Sequence, residues 1–412
     1  MQSDHNVQRL PLEGTRITDF CHVWAGPHVT QWLAVMGAEV IKIESTLRPD
    51  LTRSSFAGGR KLLPGLNHSV DFAVLNLGKR SCTINMTQPE GRDIAKELVK
   101  ISDVVTENFG GPVMERWGMS YSELAKIKPD IIMYSGSGFG RRGPYSDFPA
   151  YAPIVDSFVG FFSLNGYIGG EPCPYGIGGW TDLTAAQHGA FAILAALHHR
   201  SRTGEGQYID LSMSEVVGAF IPDVIMDYTM NNRVEGLQGN RDHVMAPHGC
   251  YRCQGDDAWV AIAVSSDEEW QAFCHVLGNP EWTRDERFQD NLSRWRNQDE
   301  LDKLIEEWSK DQAQDVVVST MQEAGVMAAP SLKTEEVVKD CNLRDREFFI
   351  DIDMPEMGTV SVARLPWRLS DMPEGNYEHA PSIGEDNDYV FKGLLHMSDE
   401  EVARLRDQQV IV

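Results

Sequence analysis

The chain has 412 residues, 42% hydrophobic and 24% charged, with a formal net charge of −24 at pH 7 and a pI near 4.8. That length exceeds one ordinary core, so two domains of a globular protein are expected. The acidity argues against nucleic acid or an anionic membrane as main partner. Any polyanionic ligand must therefore find a local basic patch.

In chain order, residues 16–24 read as a strand, and Pro27 opens a helix with an apolar face of Val29, Trp32, Leu33 and Met36. Gly37 closes that helix, and 40–43 form the next strand. Thr87-x-x-Glu90 has the form of a capping box for a helix to Ile101. A strand at 103–107, a helix at 122–126 and a strand at 131–135 continue the alternation. This predicts an α/β fold with a largely parallel sheet covered on both faces, binding ligands beyond the carboxyl ends of its strands. Val23-Trp24-Ala25, Asn108-Phe109 and Gly138-Phe139-Gly140 all follow strands on that edge.

A long apolar helix runs from the glycine-loosened segment before Asp182 to His199-Arg200. Residues 231–249, rich in Asn, Gly, Arg and His, read as a crossing. A strand at 259–264 and helices at 270–277, 299–308 and 313–324 make a smaller α+β unit. An acidic helix at 334–340 leads out, 359–363 is strand-like, and Ser398-x-x-Glu401 opens the last helix. The longest apolar stretch, 189–197, is too short to cross a bilayer, and residues 1–14 lack an apolar signal core. Seven Cys without a regular framework point to a reducing compartment, so a cytoplasmic location is expected.

Asp182 is the first chemical candidate. A carboxylate at a helix mouth feels unpaired backbone N–H groups and the positive end of the macrodipole, which favour its ionised form. An ionised, poorly hydrated carboxylate can act as a covalent nucleophile, and it can equally cap the helix. Both readings stand on helix geometry alone. Gly138-x-Gly140-x-x-Gly143 matches a dinucleotide fingerprint by letter, yet Pro144 follows at once, so no helix opens there and a dinucleotide-dependent oxidoreductase is disfavoured. Cys250-x-x-Cys253 has no second pair, and no metal site is expected.

The Asp182 segment, with Arg202-Thr203-Gly204-Glu205-Gly206-Gln207 beyond it, resembles the class III CoA-transferases, the family of formyl-CoA transferase, carnitine CoA-transferase and alpha-methylacyl-CoA racemase. Leu12-Glu13-Gly14, Ala25-Gly26-Pro27, Gly37 to Glu44, Lys79-Arg80-Ser81, Glu107-Asn108-Phe109, Gly138-Phe139-Gly140, Gly143-Pro144 and Gly384-Glu385-Asp386 are similar in the same order. The resemblance implies a large doubly wound, Rossmann-like domain from both chain ends (1–225 and 333–412) with a small α+β domain inserted (226–332). It also implies an interlocked homodimer or a hetero-oligomer with a paralogous subunit. Coenzyme A thioesters enter as substrates, with no permanently bound cofactor, and Asp182 carries acyl and CoA groups covalently.

By the same resemblance, Trp24, Ala25, Met86, Thr87, Asn108, Phe109, Gly110, Arg116, Gly138, Phe139 and Gly140 are expected to bind CoA. Trp24, Phe139, Tyr151, His248 and Gly249 are expected to line the acyl or acceptor pocket, the last two on a glycine-bearing loop. The sequence departs from formyl-CoA transferase at Ser45, Thr87 and Ser137, where that enzyme has basic residues near the nucleotide. Phosphate contacts must then move, toward Arg141 and Arg142. Trp24, in place of a Gln beside the reacting carboxylate, makes a flat apolar wall suited to a bulkier or aromatic acyl group. Together with the run from Ala246 to Cys253, it resembles the benzylsuccinate CoA-transferases, implying succinyl-CoA as donor and an aryl-substituted dicarboxylic acid as acceptor.

The racemase branch needs a His that falls here on Tyr151, with its following Asp on Ala152. Tyr is a poor base at neutral pH, so transfer is favoured over an isomerase. The other alternative, a non-catalytic CoA-binding subunit, is opposed by the presence of Asp182.

Overall fold

Strands buried on both faces of a parallel sheet read as nearly unbroken apolar runs. In the computed structural model, which describes residues 9–54, 64–173 and 180–412, such runs form the central sheet. Its strands are β1 (Arg16–Asp19), β2 (Glu39–Glu44), β3 (Arg80–Thr83), β4 (Val104–Glu107), β5 (Ile132–Ser137) and β6 (Tyr208–Ser212). All neighbours are parallel, in the order β3-β2-β1-β4-β5-β6, with Ile17 opposite both Val40 and Val104. That order reverses direction between β1 and β4, the arrangement of a doubly wound dinucleotide-type fold.

The two-residue period of a strand divides the core into two layers. Ile17, Val40, Val104, Ile132 and Tyr134 face one side. They meet Val29 and Leu33 of α1 (Ala25–Val35) and Ala185, Ala190 and Ile193 of the long helix Trp180–Thr203. Ile41, Ile43, Val105 and Met133 face the other side. There they meet Ile94 and Leu98 of Pro89–Lys100, Leu124 of Tyr121–Ile127, and Val402 and Leu405 of Asp399–Asp407. Each such side chain, fully buried, contributes roughly 1.5–3 kcal/mol. The second layer therefore recruits the C-terminal helix to a sheet made by residues 16–212.

The remaining helices of this part are α2 (Val70–Leu75), α3 (Pro89–Lys100), α4 (Val113–Arg116), α5 (Tyr121–Ile127), α6 (Ala152–Phe158), α7 (Trp180–Thr203), α8 (Met213–Gly218) and α9 (Pro222–Asn231). Several elements differ from the sequence expectation. The first strand ends at Asp19, because residues 20–24 leave the sheet to form a loop. Tyr208–Ser212, left without an assignment, pairs with β5. Thr87 does not cap α3: its hydroxyl bonds Asn85 Oδ1 at 2.6 Å, and Gln88 occupies the N-cap position before Pro89. The expected strand at 359–363 is half of an antiparallel hairpin with Phe349–Met354. Ser398 does cap the last helix, accepting the Glu401 N–H at 3.2 Å.

The chain divides into two compact units, one within Met1–Phe161, Tyr175–Arg233 and Phe348–Val412, the other within Phe162–Pro174 and Val234–Glu347. The second unit holds the antiparallel sheet β7 (His248–Arg252), β8 (Trp259–Ala263) and β9 (Met327–Pro330). The helices Asp267–Val276, Gln298–Ser309 and Gln314–Glu323 supply its apolar layer of Phe273, Leu301, Ile305, Val317 and Met321. Among the described residues no helix is long and apolar enough to cross a membrane.

Candidate functional site

The switch point between β1 and β4 is where a crevice opens in a sheet of this order. The loop after β1 is held there from three directions. His22 donates its backbone N–H to Asn108 Oδ1 at 2.8 Å, and Asn108 Nδ2 donates back to the His22 carbonyl at 2.8 Å. Lys42 Nζ donates to the Cys21 carbonyl at 2.5 Å, and Val23 N–H donates to Asp50 Oδ1 at 3.1 Å. Val23 adopts φ 69°, a left-handed conformation that a β-branched residue takes only when its surroundings impose it. Gly26 is needed just beyond, since a Cβ there would stand 2.6 Å from Cys21 Cβ and 2.8 Å from Asn108 Cγ.

Beneath this loop lies a fully buried ion network. Lys42 faces Asp50 at 3.0 Å, Arg53 grips Glu44 at 2.7 Å and Lys79 faces Asp19 at 3.3 Å, with no side-chain exposure at any of the six. Burial alone would raise the Asp50 carboxyl, but Lys42, His22 and the Thr52 N–H together outweigh burial and hold the group well below the usual carboxylate range. None of these pairs was anticipated from sequence. The signal was Lys42 and Glu44 inside an otherwise apolar strand.

The other expected CoA contacts follow neighbouring strands on the same edge. Asn108, Phe109 and Gly110 come after β4, and Gly138, Phe139 and Gly140 after β5. Arg141 ties these two loops together. Its guanidinium donates to Glu107 Oε1 and Oε2 at 2.7 and 2.8 Å, to Phe109 O at 2.7 Å and to Gly111 O at 3.0 Å. Arg141 is thus engaged within the protein, which removes it as a reserve phosphate ligand. Arg142 is exposed. Arg116, at the exposed end of α4, has no carboxylate partner among the described residues. Trp117, next to it, packs edge-on against Phe109 with ring centroids 5.3 Å apart, so Arg116 belongs to the lip of the β4 loop. Met86 is buried in the loop after β3, and Arg92 of α3 holds the Met86 and Thr87 carbonyls at 3.0 and 2.8 Å. Sequence reading overlooked this cation, which lies only five residues beyond Thr87.

No helix opens after Gly143; α6 starts at Ala152. Phe139 instead joins an aromatic cluster, 5.0 Å from the Phe158 ring and 6.0 Å from Tyr145. Cys250 and Cys253 are free thiols, and no metal-binding cluster occurs among the described residues.

Asp182 lies in the first turn of α7, which starts at Trp180, so it stands inside the helix rather than at the cap position. Residues 174–179, carrying the glycines expected to lead into it, lie outside the described residues. Its half-buried carboxyl has no hydrogen-bond partner among the described residues. Burial first, and then the charge of Asp156 on α6, push that carboxyl up to about 7. This corrects the expectation that the helix end would simply favour the anion: desolvation and a like charge win. Asp156 is itself buried, and the Thr181 hydroxyl donates to its Oδ1. Asp156 was missed, although it lies on a short helix only four residues past Ala152. Downstream, a Cβ on Gly189 would press on Val29 of α1 and the Tyr134 hydroxyl of β5, so the glycine lets α7 lie close to both.

The residues expected to line the acyl or acceptor pocket fall in different units. Trp24 is the N-cap of α1, and Tyr151, half exposed, is the N-cap of α6. His248 and Gly249 are in the second unit, not on a loop but opening β7, paired with Ala263 and Ile262. There they line a cavity of about 380 Å³ with Arg241, Tyr251 and Asp302. Tyr251 donates its hydroxyl to Asp302 at 2.8 Å, and Arg241 reaches the same carboxylate at 3.2 Å.

The fold is that of a doubly wound α/β protein, a six-stranded parallel sheet whose order reverses between β1 and β4. A model of CoA-transferase family III matches residues 12–387, and the chain belongs to that family, as an enzyme that transfers CoA. It is 32% identical to the succinyl-CoA–D-citramalate CoA-transferase of Chloroflexus aurantiacus, over 97% of this chain and 98% of that one. It is 30% identical to the beta subunit of the succinyl-CoA–L-malate CoA-transferase of the same organism, over 99% and 100%. Among solved structures, a CAIB/BAIF family protein from Brucella suis superposes with a TM-score of 0.85 at 30% identity, covering 94% of this chain and 100% of that one.

Proposed function

We propose that this enzyme moves CoA from succinyl-CoA to a free dicarboxylic acid, aryl-substituted where Trp24 forms its wall, through an aspartyl-CoA thioester on Asp182. Asp182 Oδ attacks the donor thioester carbon, forming a C–O bond as the C–S bond breaks and giving a mixed anhydride and CoA thiolate. The thiolate then attacks Asp182 Cγ and expels the donor acid. The acceptor carboxylate attacks the aspartyl thioester, and the released thiolate takes the acceptor's acyl group, restoring Asp182. The acyl–sulfur bond energy is conserved through these exchanges. The protein's task is to keep water from the anhydride and to stabilise each oxyanion, for which the backbone N–H groups of residues 136–140 are the natural donors.

The observation carrying this reading is the Asp182 carboxyl itself: half-buried, without a hydrogen-bond partner among the described residues and titrating near neutrality. Such a group is a poorly hydrated nucleophile once ionised. The CoA nucleotide lies along the strand ends, with the loops at 23–25, 86–87, 108–110 and 138–140 around it and Arg116 on a phosphate. Tyr151, His248 and Gly249 belong to the acceptor side. The domains follow the two compact units, with the boundaries expected at 225/226 and 332/333 moved to 233/234 and 347/348 and residues 162–174 added to the smaller one. The protein is a cytoplasmic oligomer that is an interlocked homodimer or, as the beta-subunit relative suggests, is completed by a paralogue.

Incubation with succinyl-CoA and hydroxylamine, followed by peptide mass spectrometry, should place a hydroxamate on the peptide containing Asp182. Full transferase activity in Asp182→Ala would overturn the assignment.

A further inference from the structure

The face of α1 that begins at Trp24 carries three polar atoms that nothing described satisfies. Trp24 Nε1, His28 Nδ1 and Gln31 Oε1 are all shielded from solvent and have no hydrogen-bond partner among the described residues. Unsatisfied buried groups of this kind cost about 1–3 kcal/mol each, so three on one helix face call for an explanation. Positions 24, 28 and 31 fall within about 60° of arc at 3.6 residues per turn. The His28 N–H donates to the Trp24 carbonyl at 3.0 Å, so Trp24 shares the helical register. Gln31 is 5% exposed, so its oxygen is not placed for bulk water.

The hydrogen character of each atom follows from its neighbours. Trp32 Nε1 donates to His28 Nε2 at 2.8 Å, which uses the acceptor nitrogen of the imidazole. A neutral His28 must then carry its proton on Nδ1. Burial, helped by the charge of Lys79, lowers His28 to about 4, so the ring is neutral at physiological pH. The face therefore presents two N–H donors, from Trp24 and His28, beside one carbonyl acceptor, from Gln31. All three are uncharged.

We propose that Trp24, His28 and Gln31 form an uncharged recess that holds a carboxylate of the acid substrate, Trp24 and His28 donating to its oxygens and Gln31 accepting from a hydroxyl where the acid bears one. This deepens the function proposed above and rests on it for the identity of the ligand. A recess whose lining groups are neutral suits an acid that must leave again: with the nearby Lys79 ammonium paired to Asp19, neutral N–H donors hold an anion by hydrogen bonds without the strength of a direct buried ion pair. It also gives Trp24 a polar function alongside that of an apolar wall, since its indole N–H is an unpaired donor.

Calorimetric titration with succinate as probe, in an Asp182→Ala background that cannot react, tests the recess directly. Trp24→Phe keeps the ring and removes the N–H. His28→Gln keeps an acceptor for Trp32 while removing the Nδ1 donor. Each should weaken succinate binding about tenfold or more, the scale of a hydrogen bond to a charged group, with melting temperature little changed and, in His28→Gln, free CoA binding unchanged as well. Gln31→Glu places a negative charge in the recess and should weaken succinate further. Unchanged succinate affinity in Trp24→Phe and His28→Gln would overturn the recess, as would failure of the parent to bind millimolar succinate. Covalent labelling of Asp182 by succinyl-CoA reads the underlying function separately, so loss of one does not imply loss of the other.

Discussion

Asp182 and Asp156 make a pair of carboxyls whose interaction decides the working pH of the nucleophile. The anion attacks, and Asp182 is protonated below about 7, so covalent labelling should rise with pH through that value and be lost as pH falls below it. Asp156→Asn removes a like charge and should move the midpoint to lower pH, read from labelling rates across a pH series; a midpoint that stays in place would separate the two residues. Arg116 presents a different kind of residue-scale question, an exposed cation on an acidic protein. Its removal in Arg116→Ala should raise KM for the acyl-CoA by the equivalent of about 1.5–3 kcal/mol, one charge-assisted hydrogen bond, leaving KM for the free acid nearly unchanged. With Arg141 locked onto Glu107, an unaltered acyl-CoA KM would point to the exposed Arg142 as the phosphate partner.

At the scale of elements, the loop after β1 is precise because its neighbours are charged and buried. Three cations, Lys42, Arg53 and Lys79, balance three carboxylates, Asp19, Glu44 and Asp50, under a loop whose Val23 sits in a left-handed conformation. Breaking one buried pair leaves an uncompensated charge, so Asp50→Asn should destabilise the fold by roughly 3–5 kcal/mol in denaturant titration. Adding Lys42→Met should recover part of that loss. A double variant no more stable than the single would mean that Asp50 acts mainly through the Val23 and Thr52 N–H groups it accepts.

For the whole molecule, the choice between transfer and isomerisation turns on what the fold brings near the acyl group. Tyr151 and Ala152 begin α6, where the isomerase branch has its second acid–base pair. In deuterium oxide, a chiral 2-methylacyl-CoA should keep its configuration and take up no α-deuterium, while CoA passes to a free dicarboxylic acid without net hydrolysis. Rapid α-deuteration that depends on Asp182 and needs no acceptor would reverse the assignment of transfer.

The sequence determined the alternation of strands and helices, the parallel sheet and the edge on which the loops after β1, β4 and β5 gather, because each is a local matter of hydrophobic period and turn residues. It also pointed to Asp182, through an ordered set of motifs spread along nearly the whole chain. Properties that depend on distant partners were decided only in three dimensions. Glu107 captures Arg141 across 34 residues, so a cation free in sequence is not free in the fold. Asp156 meets Thr181 across 25 residues and, with burial, turns an expected anion into a group titrating near neutrality. His248 and Gly249 look like a turn by composition, yet they are strand because Ala263 and Ile262 pair with them. The tautomer of His28 is likewise set by Trp32, one helical turn away, and becomes consequential only because folding shields His28 Nδ1 from water. Periodicity is written locally, whereas burial and charge pairing are properties of the assembled fold, and the chemistry of this site depends on the latter.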